Sequence, residues 1–153
     1  MLNLSSMPVL LTAAVTILVL IFFIYVTLRV GGFRGKHNIP APSTVGHPEF
    51  ERAYRVQMNT LEQTPVFLPA LWLATAYIDA ITWLPFTWVP AALGLLWIVG
   101  RFLYMQGYIA DPSKRSTGFL ISGVATILLI VIAIIGLVMT WMAMSTSGGT
   151  ASA

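Results

Sequence analysis

Two short segments combine polar side chains at helical spacing inside a largely apolar sequence. The first carries a guanidinium, an amide and a carboxylate at positions i, i+4 and i+7: Arg55, Asn59 and Glu62. The second carries a guanidinium and two phenols at positions i, i+3 and i+7: Arg101, Tyr104 and Tyr108. Because residues at these spacings share one face of a helix, each segment presents one polar face.

These groups match the chemistry of a small anionic ligand. Guanidinium groups bind carboxylates through paired hydrogen bonds, and a lone carboxylate among them can hold an ammonium group. Glutathione carries two carboxylates, one ammonium and a thiol, and a nearby arginine would favour its reactive thiolate. A phosphate or a lipid headgroup would suit many of the same groups. A purely structural alternative is a buried ion pair between Arg101 and Glu62 that joins two helices.

The composition excludes a soluble protein and thiol chemistry by the chain itself. Of the 153 residues, 58% are hydrophobic and 8% are charged, whereas soluble domains carry about 25% charged residues. There is no cysteine, so disulfides and thiolate metal sites are excluded, and a reacting thiol must belong to the substrate. We therefore predict a single all-α membrane domain over residues 1–144, followed by a disordered tail over residues 145–153.

The apolar runs predict a bundle of four transmembrane helices, since about 20 apolar residues span a bilayer. We place the helices at about residues 8–29, 49–80, 86–109 and 112–144. The second helix is polar in its first half, which should face protein rather than lipid.

All 8 Lys and Arg residues lie near the first or the third connection between these helices. The positive-inside rule puts both connections in the cytoplasm and both termini on the opposite side. The last residues form no retention signal for a eukaryotic organelle, which favours a bacterial inner membrane.

Two motifs resemble signatures of the MAPEG family, the membrane-associated proteins of eicosanoid and glutathione metabolism. The first is HPEFERAYRVQMNTLE, from His47 to Glu62, and the second is RFLYMQGY, from Arg101 to Tyr108. Both motifs occur in the expected order, and the resemblance covers roughly residues 8–142. It is strongest to the branch that contains the leukotriene C synthases, the microsomal glutathione transferases of types two and three, and the five-lipoxygenase-activating protein.

The resemblance implies a homotrimer that binds glutathione as co-substrate between neighbouring subunits, without a metal or a nucleic acid partner. Arg115 stands where the transferases have the arginine that stabilises the glutathione thiolate, which implies a glutathione transferase and possible peroxidase. The lipophilic electrophile would arrive from the membrane lipid. The resemblance implies that the following residues bind glutathione or lie beside it: Arg34, Arg55, Gln57, Asn59, Glu62, Arg101, Tyr104 and Tyr108.

Two other functions remain open from the sequence. The five-lipoxygenase-activating protein is a non-catalytic lipid-binding scaffold, and it lacks the arginine found here at position 115. Gln63 replaces a tyrosine that helps to bind glutathione in the leukotriene C synthases, which is the one feature that favours a scaffold. A small drug exporter would need an acidic residue in its first helix, and residues 8–28 contain none.

Overall fold

The computed structural model describes residues 5–82, 84 and 86–148, with backbone alone for residues 147 and 148. Within these residues the chain forms four long helices, α1 (Met7–Lys36), α2 (Pro48–Tyr77), α3 (Val89–Ala110) and α4 (Ser116–Gly148). Short 3-10 helices, Ile78–Ala80 and Pro112–Arg115, follow α2 and α3. No strand occurs in this part of the chain, and the predicted all-α fold is confirmed.

Local sequence signals explain where α2 and the second 3-10 helix begin. The ring nitrogen Nδ1 of His47 accepts the backbone N–H of Glu49 at 3.3 Å, and Pro48 occupies the first turn, where a missing N–H costs nothing. In the same way, a carboxylate oxygen of Asp111 accepts the N–H of Ser113 at 2.9 Å, ahead of Pro112. These caps fix the two connections that carry the basic residues.

Two predicted helix ends were wrong. We expected the first helix to end near residue 29 because Gly31 and Gly32 resemble a loop, but α1 continues to Lys36. The last turns of α1 pack against α2, where Val30 and Phe33 join a cluster with Phe50 and Ala53, and such packing outweighs the weak helix propensity of glycine. The predicted disordered tail is also helical as far as Gly148. The remaining predicted tail, residues 149–153, lies outside the described residues.

Three segments are long and apolar enough to cross a membrane: Met7–Lys36, Val89–Ala110 and Pro112–Thr146. Among the described helices, α2 is the one that does not qualify, because its first half carries Glu49, Glu51, Arg52, Arg55 and Glu62. This polar half must therefore be covered by protein or lie at the membrane surface.

The helices approach most closely where α3 crosses α4. A side chain added at Gly118 would fall on the backbone nitrogen of Tyr104 and within 2.6 Å of the carbonyl oxygen of Gly100. Two backbones can pack this tightly only through glycine, as is common between membrane helices. The crossing brings the end of α3, which carries Tyr104 and Tyr108, against the start of α4, which directly follows Arg115.

The opposite end of the bundle has an apolar core. The rings of Phe67 and Trp97 stack with their centroids 4.1 Å apart, and both side chains are fully buried. Leu71 of α2 and Leu129 of α4 pack in the same cluster. Because this core joins α2, α3 and α4, it fixes the rotation of the helices that carry the polar residues.

Candidate functional site

Five of the predicted site residues line a single cavity of about 620 Å³ between α2, α3 and the start of α4. They come from both motifs and from the second 3-10 helix: Arg55, Asn59, Tyr104, Tyr108 and Arg115. The rest of the wall consists of Ser116, Thr117, Phe119 and Leu120. The cavity therefore has a cationic, hydrogen-bonding part and an apolar part formed by the first turns of α4.

The tyrosines and Arg115 form a continuous wall. The rings of Tyr104 and Tyr108 lie one helical turn apart, with centroids 5.5 Å from each other. The guanidinium carbon of Arg115 lies 5.9 Å from the Tyr108 ring, within the range of a cation–π contact. Hydrogen bonds from Ser113 lower the pKa of Asp111, so the capping carboxylate stays ionised and holds the turn that carries Arg115.

Glu62 lies beside this cavity and pairs with Arg55 rather than with Arg101. Its carboxylate is 3.9 Å from Arg55 Nη1 and accepts a long hydrogen bond of 3.4 Å from Asn59 Nδ2. The Glu62 side chain is 52% exposed, which leaves it accessible to a ligand. The alternative of a buried Arg101–Glu62 ion pair was therefore wrong.

Arg101 lies behind the cavity rather than in its wall. Its side chain is completely buried, with Nη1 donating to Asn59 Oδ1 at 3.1 Å and Nη2 donating to Thr60 Oγ1 at 2.7 Å. The guanidinium carbon also lies 4.3 Å from the centroid of the Tyr104 ring. Arg101 therefore contacts two residues that line the cavity.

Comparison with known proteins identifies the family that the two sequence motifs indicated. The family model described as the MAPEG family matches residues 10–135. The chain belongs to the MAPEG family. Since this family is membrane-associated and three described segments can cross a bilayer, the chain is an integral membrane protein. The predicted family resemblance is confirmed.

Several relatives of this MAPEG protein match most of its length. Human microsomal glutathione S-transferase 2 is 40% identical over 112 residues, which cover 73% of this chain and 71% of the relative. Bovine leukotriene C4 synthase is 35% identical over 127 residues, 83% of this chain and 80% of the relative. An uncharacterised protein of the cyanobacterium Synechocystis is 39% identical over 130 residues, 85% and 87% of the two chains.

Two predicted residues of this MAPEG protein lie away from the cavity wall of their own chain. Arg34 Nη1 donates to the carbonyl oxygens of Ile39 and Pro40, at 3.4 and 3.1 Å, and its guanidinium carbon lies 4.7 Å from the Phe50 ring centroid. Gln57 Nε2 donates to Thr27 Oγ1 at 3.0 Å. Of the nine predicted site residues, five therefore line the cavity of one chain, Glu62 and Arg101 lie beside or behind it, and Arg34 and Gln57 lie elsewhere.

Sequence reasoning missed the wall that the first turns of α4 contribute. Of Ser116, Thr117, Phe119 and Leu120, Phe119 lies four residues beyond Arg115, a spacing that places two side chains on the same helix face. That spacing was the available signal. It did not reveal how closely α3 packs against these turns, which depends on the glycines of the crossing.

A second polar cluster fastens the connection between α1 and α2. Glu49 Oε2 accepts hydrogen bonds from Lys36 Nζ at 2.7 Å and from His37 Nε2 at 2.9 Å, and the His37 and His47 rings stack 3.5 Å apart. These bonds lower the pKa of Glu49 to about 2. Among the described residues, His37, His47 and Glu49 are the group whose donor atoms lie close enough for a metal ion, within 4.8 Å. The contacts within the cluster already engage Glu49 Oε2 and His47 Nδ1.

Proposed function

We propose that this protein is a membrane-bound glutathione transferase that activates the glutathione thiol as a thiolate for attack on lipophilic electrophiles. The observation that carries the proposal is the shared cavity: Arg115 lies in one wall with Arg55, Asn59, Tyr104 and Tyr108. The names of the relatives support the same reaction class, since they are called glutathione S-transferase and leukotriene C4 synthase.

The charges around the cavity suit glutathione, whose net charge is negative. Arg55 supplies a guanidinium group for its carboxylates, and Asn59 and the tyrosine hydroxyls supply neutral hydrogen bonds, which leaves the charge of Arg115 for the thiol. None of the described residues that line the cavity is acidic. Glu62, the exposed carboxylate beside it, would hold the ammonium group.

Arg115 would act on the sulfur. A guanidinium group beside a thiol lowers its pKa, because the positive charge stabilises the thiolate. The thiolate sulfur then forms a bond to the electrophilic carbon of the second substrate, and the electron pair of the broken bond leaves with the departing group. Phe119 and Leu120, both largely exposed, offer an apolar approach for that substrate from the lipid.

The same thiolate would also reduce a lipid hydroperoxide. Its sulfur attacks the terminal peroxide oxygen, the O–O bond breaks, and the remaining alkoxide takes a proton to become an alcohol. The sulfenic acid formed on glutathione then reacts with a second glutathione to give the disulfide and water. This activity uses the residues already named.

The two outlying residues favour a glutathione site between subunits, and the family resemblance implies that three subunits assemble. Arg34 and Gln57 point away from the cavity of their own chain, so a neighbouring copy would supply them to it. Co-expression of an Arg34→Ala chain with an Arg115→Ala chain tests this arrangement, because mixed trimers would contain intact sites. We expect mixed trimers to recover part of the activity that each variant lacks alone, whereas sites confined to single chains would recover none.

We also propose that the basic connections face the cytoplasm of a bacterial cell. The placement of every Lys and Arg at one end of the bundle supports this orientation. Because the chain has no cysteine, a single Ser113→Cys variant can be labelled uniquely. A membrane-impermeant reagent should fail to label this variant in intact cells and should label it after lysis. Labelling in intact cells would show that the basic connections face the opposite side of the membrane.

Turnover of a general aromatic electrophile and of a lipid hydroperoxide tests the transferase proposal. Arg115→Ala should lower kcat by about 100-fold or more, as loss of one group that stabilises developing charge commonly does, with little change in glutathione affinity. Lys114→Ala is the matched control, since Lys114 occupies the same 3-10 helix and is not among the residues that line the cavity. Unchanged turnover in Arg115→Ala would refute its role. No turnover by the wild-type trimer, together with tight lipid binding, would favour a non-catalytic scaffold.

A further inference from the structure

Arg101 is a buried cation with no carboxylate partner in the described part of the chain. Its side chain is fully buried within the α3 span, and the described ion pairs join other residues. Its two terminal nitrogens are bound by neutral oxygens of Asn59 and Thr60, while its Nε has no hydrogen-bond partner. Charged side chains at membrane depth are costly and usually serve a function, so this arrangement needs a reason beyond packing.

The contact with Arg101 decides how Asn59 faces the cavity. A guanidinium group has only donors, so the Asn59 amide must turn its oxygen Oδ1 toward Arg101. The NH₂ group of Asn59 then points the other way, where its hydrogen bond to the exposed carboxylate of Glu62 is long, at 3.4 Å. Asn59 is therefore held as a hydrogen-bond donor in the wall of the cavity.

A second contact holds another part of the same wall. The Arg101 guanidinium lies over the Tyr104 ring at 4.3 Å, and Tyr104 lines the cavity beside Asn59. Thr60 fixes the other end of the guanidinium, because its hydroxyl accepts from Arg101 and donates to the Val56 carbonyl oxygen at 2.7 Å. Arg101 of α3 is thus hydrogen-bonded to the α2 wall of the cavity and lies over Tyr104 of its own helix, without lining the cavity itself.

We infer that Arg101 is a positioning residue of the glutathione site, which holds the Asn59 amide with its NH₂ group directed at an acceptor oxygen of glutathione. The inference rests on the proposed function and deepens it, since it assigns Arg101 an action through Asn59 rather than direct contact with glutathione. Lysine cannot replace it, because a single ammonium group cannot make the two parallel contacts of the guanidinium fork.

A double-mutant cycle on glutathione binding tests this inference. Calorimetry on the detergent-purified protein would give Kd for the wild type, Arg101→Lys, Asn59→Ala and the double variant. We expect each single variant to raise Kd about ten-fold, and the double variant to bind no more weakly than Asn59→Ala alone, since coupled residues are non-additive. Thr64→Val is the control, because it removes a hydroxyl from the same face of α2 that does not contact Arg101, and its Kd should be unchanged.

Independent effects of the two residues would overturn the inference. A double variant about 100-fold weaker than the wild type would mean that Arg101 acts on the ligand by itself. An unchanged Kd in Arg101→Lys would show that the contact has no influence on the site. A wild-type protein that binds no glutathione would overturn the proposed function itself. The other two outcomes occur only when the wild type binds glutathione, and therefore the two failures are distinguishable.

Asn59→Asp provides a second measurement that leaves Arg101 intact, in case Arg101→Lys does not fold. A carboxylate at position 59 would pair with the buried guanidinium but could not donate to the ligand. We expect this variant to bind glutathione more weakly, because the NH₂ donor is lost while the Arg101 contact is kept. An unchanged Kd would contradict the inferred donor role of Asn59.

Discussion

The two ends of this helix bundle are built on different principles. At the basic end, which carries the α1–α2 and α3–α4 connections, side chains of different helices meet around a cavity through polar contacts such as the Arg101–Asn59 hydrogen bond and the Arg115–Tyr108 cation–π contact. At the opposite end, helices meet mainly through apolar contacts such as the Phe67–Trp97 stack, together with a buried hydrogen bond of 2.7 Å between the Thr12 and Thr75 hydroxyl oxygens. From this difference we expect the apolar end to supply most of the stability of the bundle and the basic end to supply its ligand site.

The largest expected effect comes from the crossing that joins the two ends. Gly118→Ala would force a side chain onto the backbone of Tyr104, so α3 and α4 must separate. We expect a loss of about 3 kcal/mol or more in the free energy of unfolding, and loss of glutathione binding. Thermal unfolding in detergent, followed together with glutathione affinity, measures both.

Gly123→Ala is the matched control in the same helix. Nothing lies within 4 Å of a side chain added there. We therefore expect the free energy of unfolding to rise by about 0.5–1 kcal/mol, because alanine has the better helix propensity. Equal destabilisation by both substitutions would mean that the close crossing at Gly118 is not needed.

A substitution in the apolar core should separate stability from binding. Leu71→Ala removes a fully buried side chain and leaves a void. We expect the free energy of unfolding to fall by about 2 kcal/mol. This is the lower end for such a substitution, because packing rather than transfer from water holds membrane helices together. The glutathione Kd of the folded fraction should not change. A large rise in Kd at temperatures well below melting would show that the two ends are not independent.

A substitution at the basic end should weaken glutathione binding without lowering stability. Glu62→Gln should raise the glutathione Kd about ten-fold, as expected for loss of a charged hydrogen bond, and should leave the melting temperature nearly unchanged. For a glutathione analogue that lacks the α-amino group, the wild type and Glu62→Gln should have the same Kd. Equal weakening for both ligands would contradict the assignment of Glu62 to the ammonium group.

The smallest expected effect concerns the Glu49 cluster. Because its partners lower the pKa of Glu49 from 4.5 to about 2, the stabilisation is complete above pH 4.5 and is lost as the pH falls toward 2. The melting temperature of the wild type should exceed that of Glu49→Gln at pH 6, and the difference should shrink between pH 4.5 and 2. High salt should also shrink it, since the Lys36 partner is exposed. A difference that is constant with pH would contradict the ion pair.

Helical spacing was enough to predict much of the site. The shared face of Arg55 and Asn59 follows from their separation of four residues, and that of Tyr104 and Tyr108 likewise. The same rule explains why Gln57, two residues from Arg55, faces α1 instead. Spacing could not show that Arg101 is buried while Tyr104 lines the cavity, because that depends on the rotation of α3 within the bundle. Nor could it show that α1 continues through Gly31 and Gly32, because the packing of Val30 and Phe33 against α2 decides between helix and loop there.

The ultraviolet absorbance of the glutathione thiolate tests the central claim most directly. Wild-type protein in detergent, titrated with glutathione at neutral pH, should show the thiolate band rising with the bound fraction measured by calorimetry. Arg115→Ala should bind glutathione with nearly the same Kd and show no band, whereas Lys114→Ala should show it in full. Bound glutathione that stays protonated in the wild type, or an equal band in Arg115→Ala, would contradict the claim that this cavity activates the thiol through Arg115.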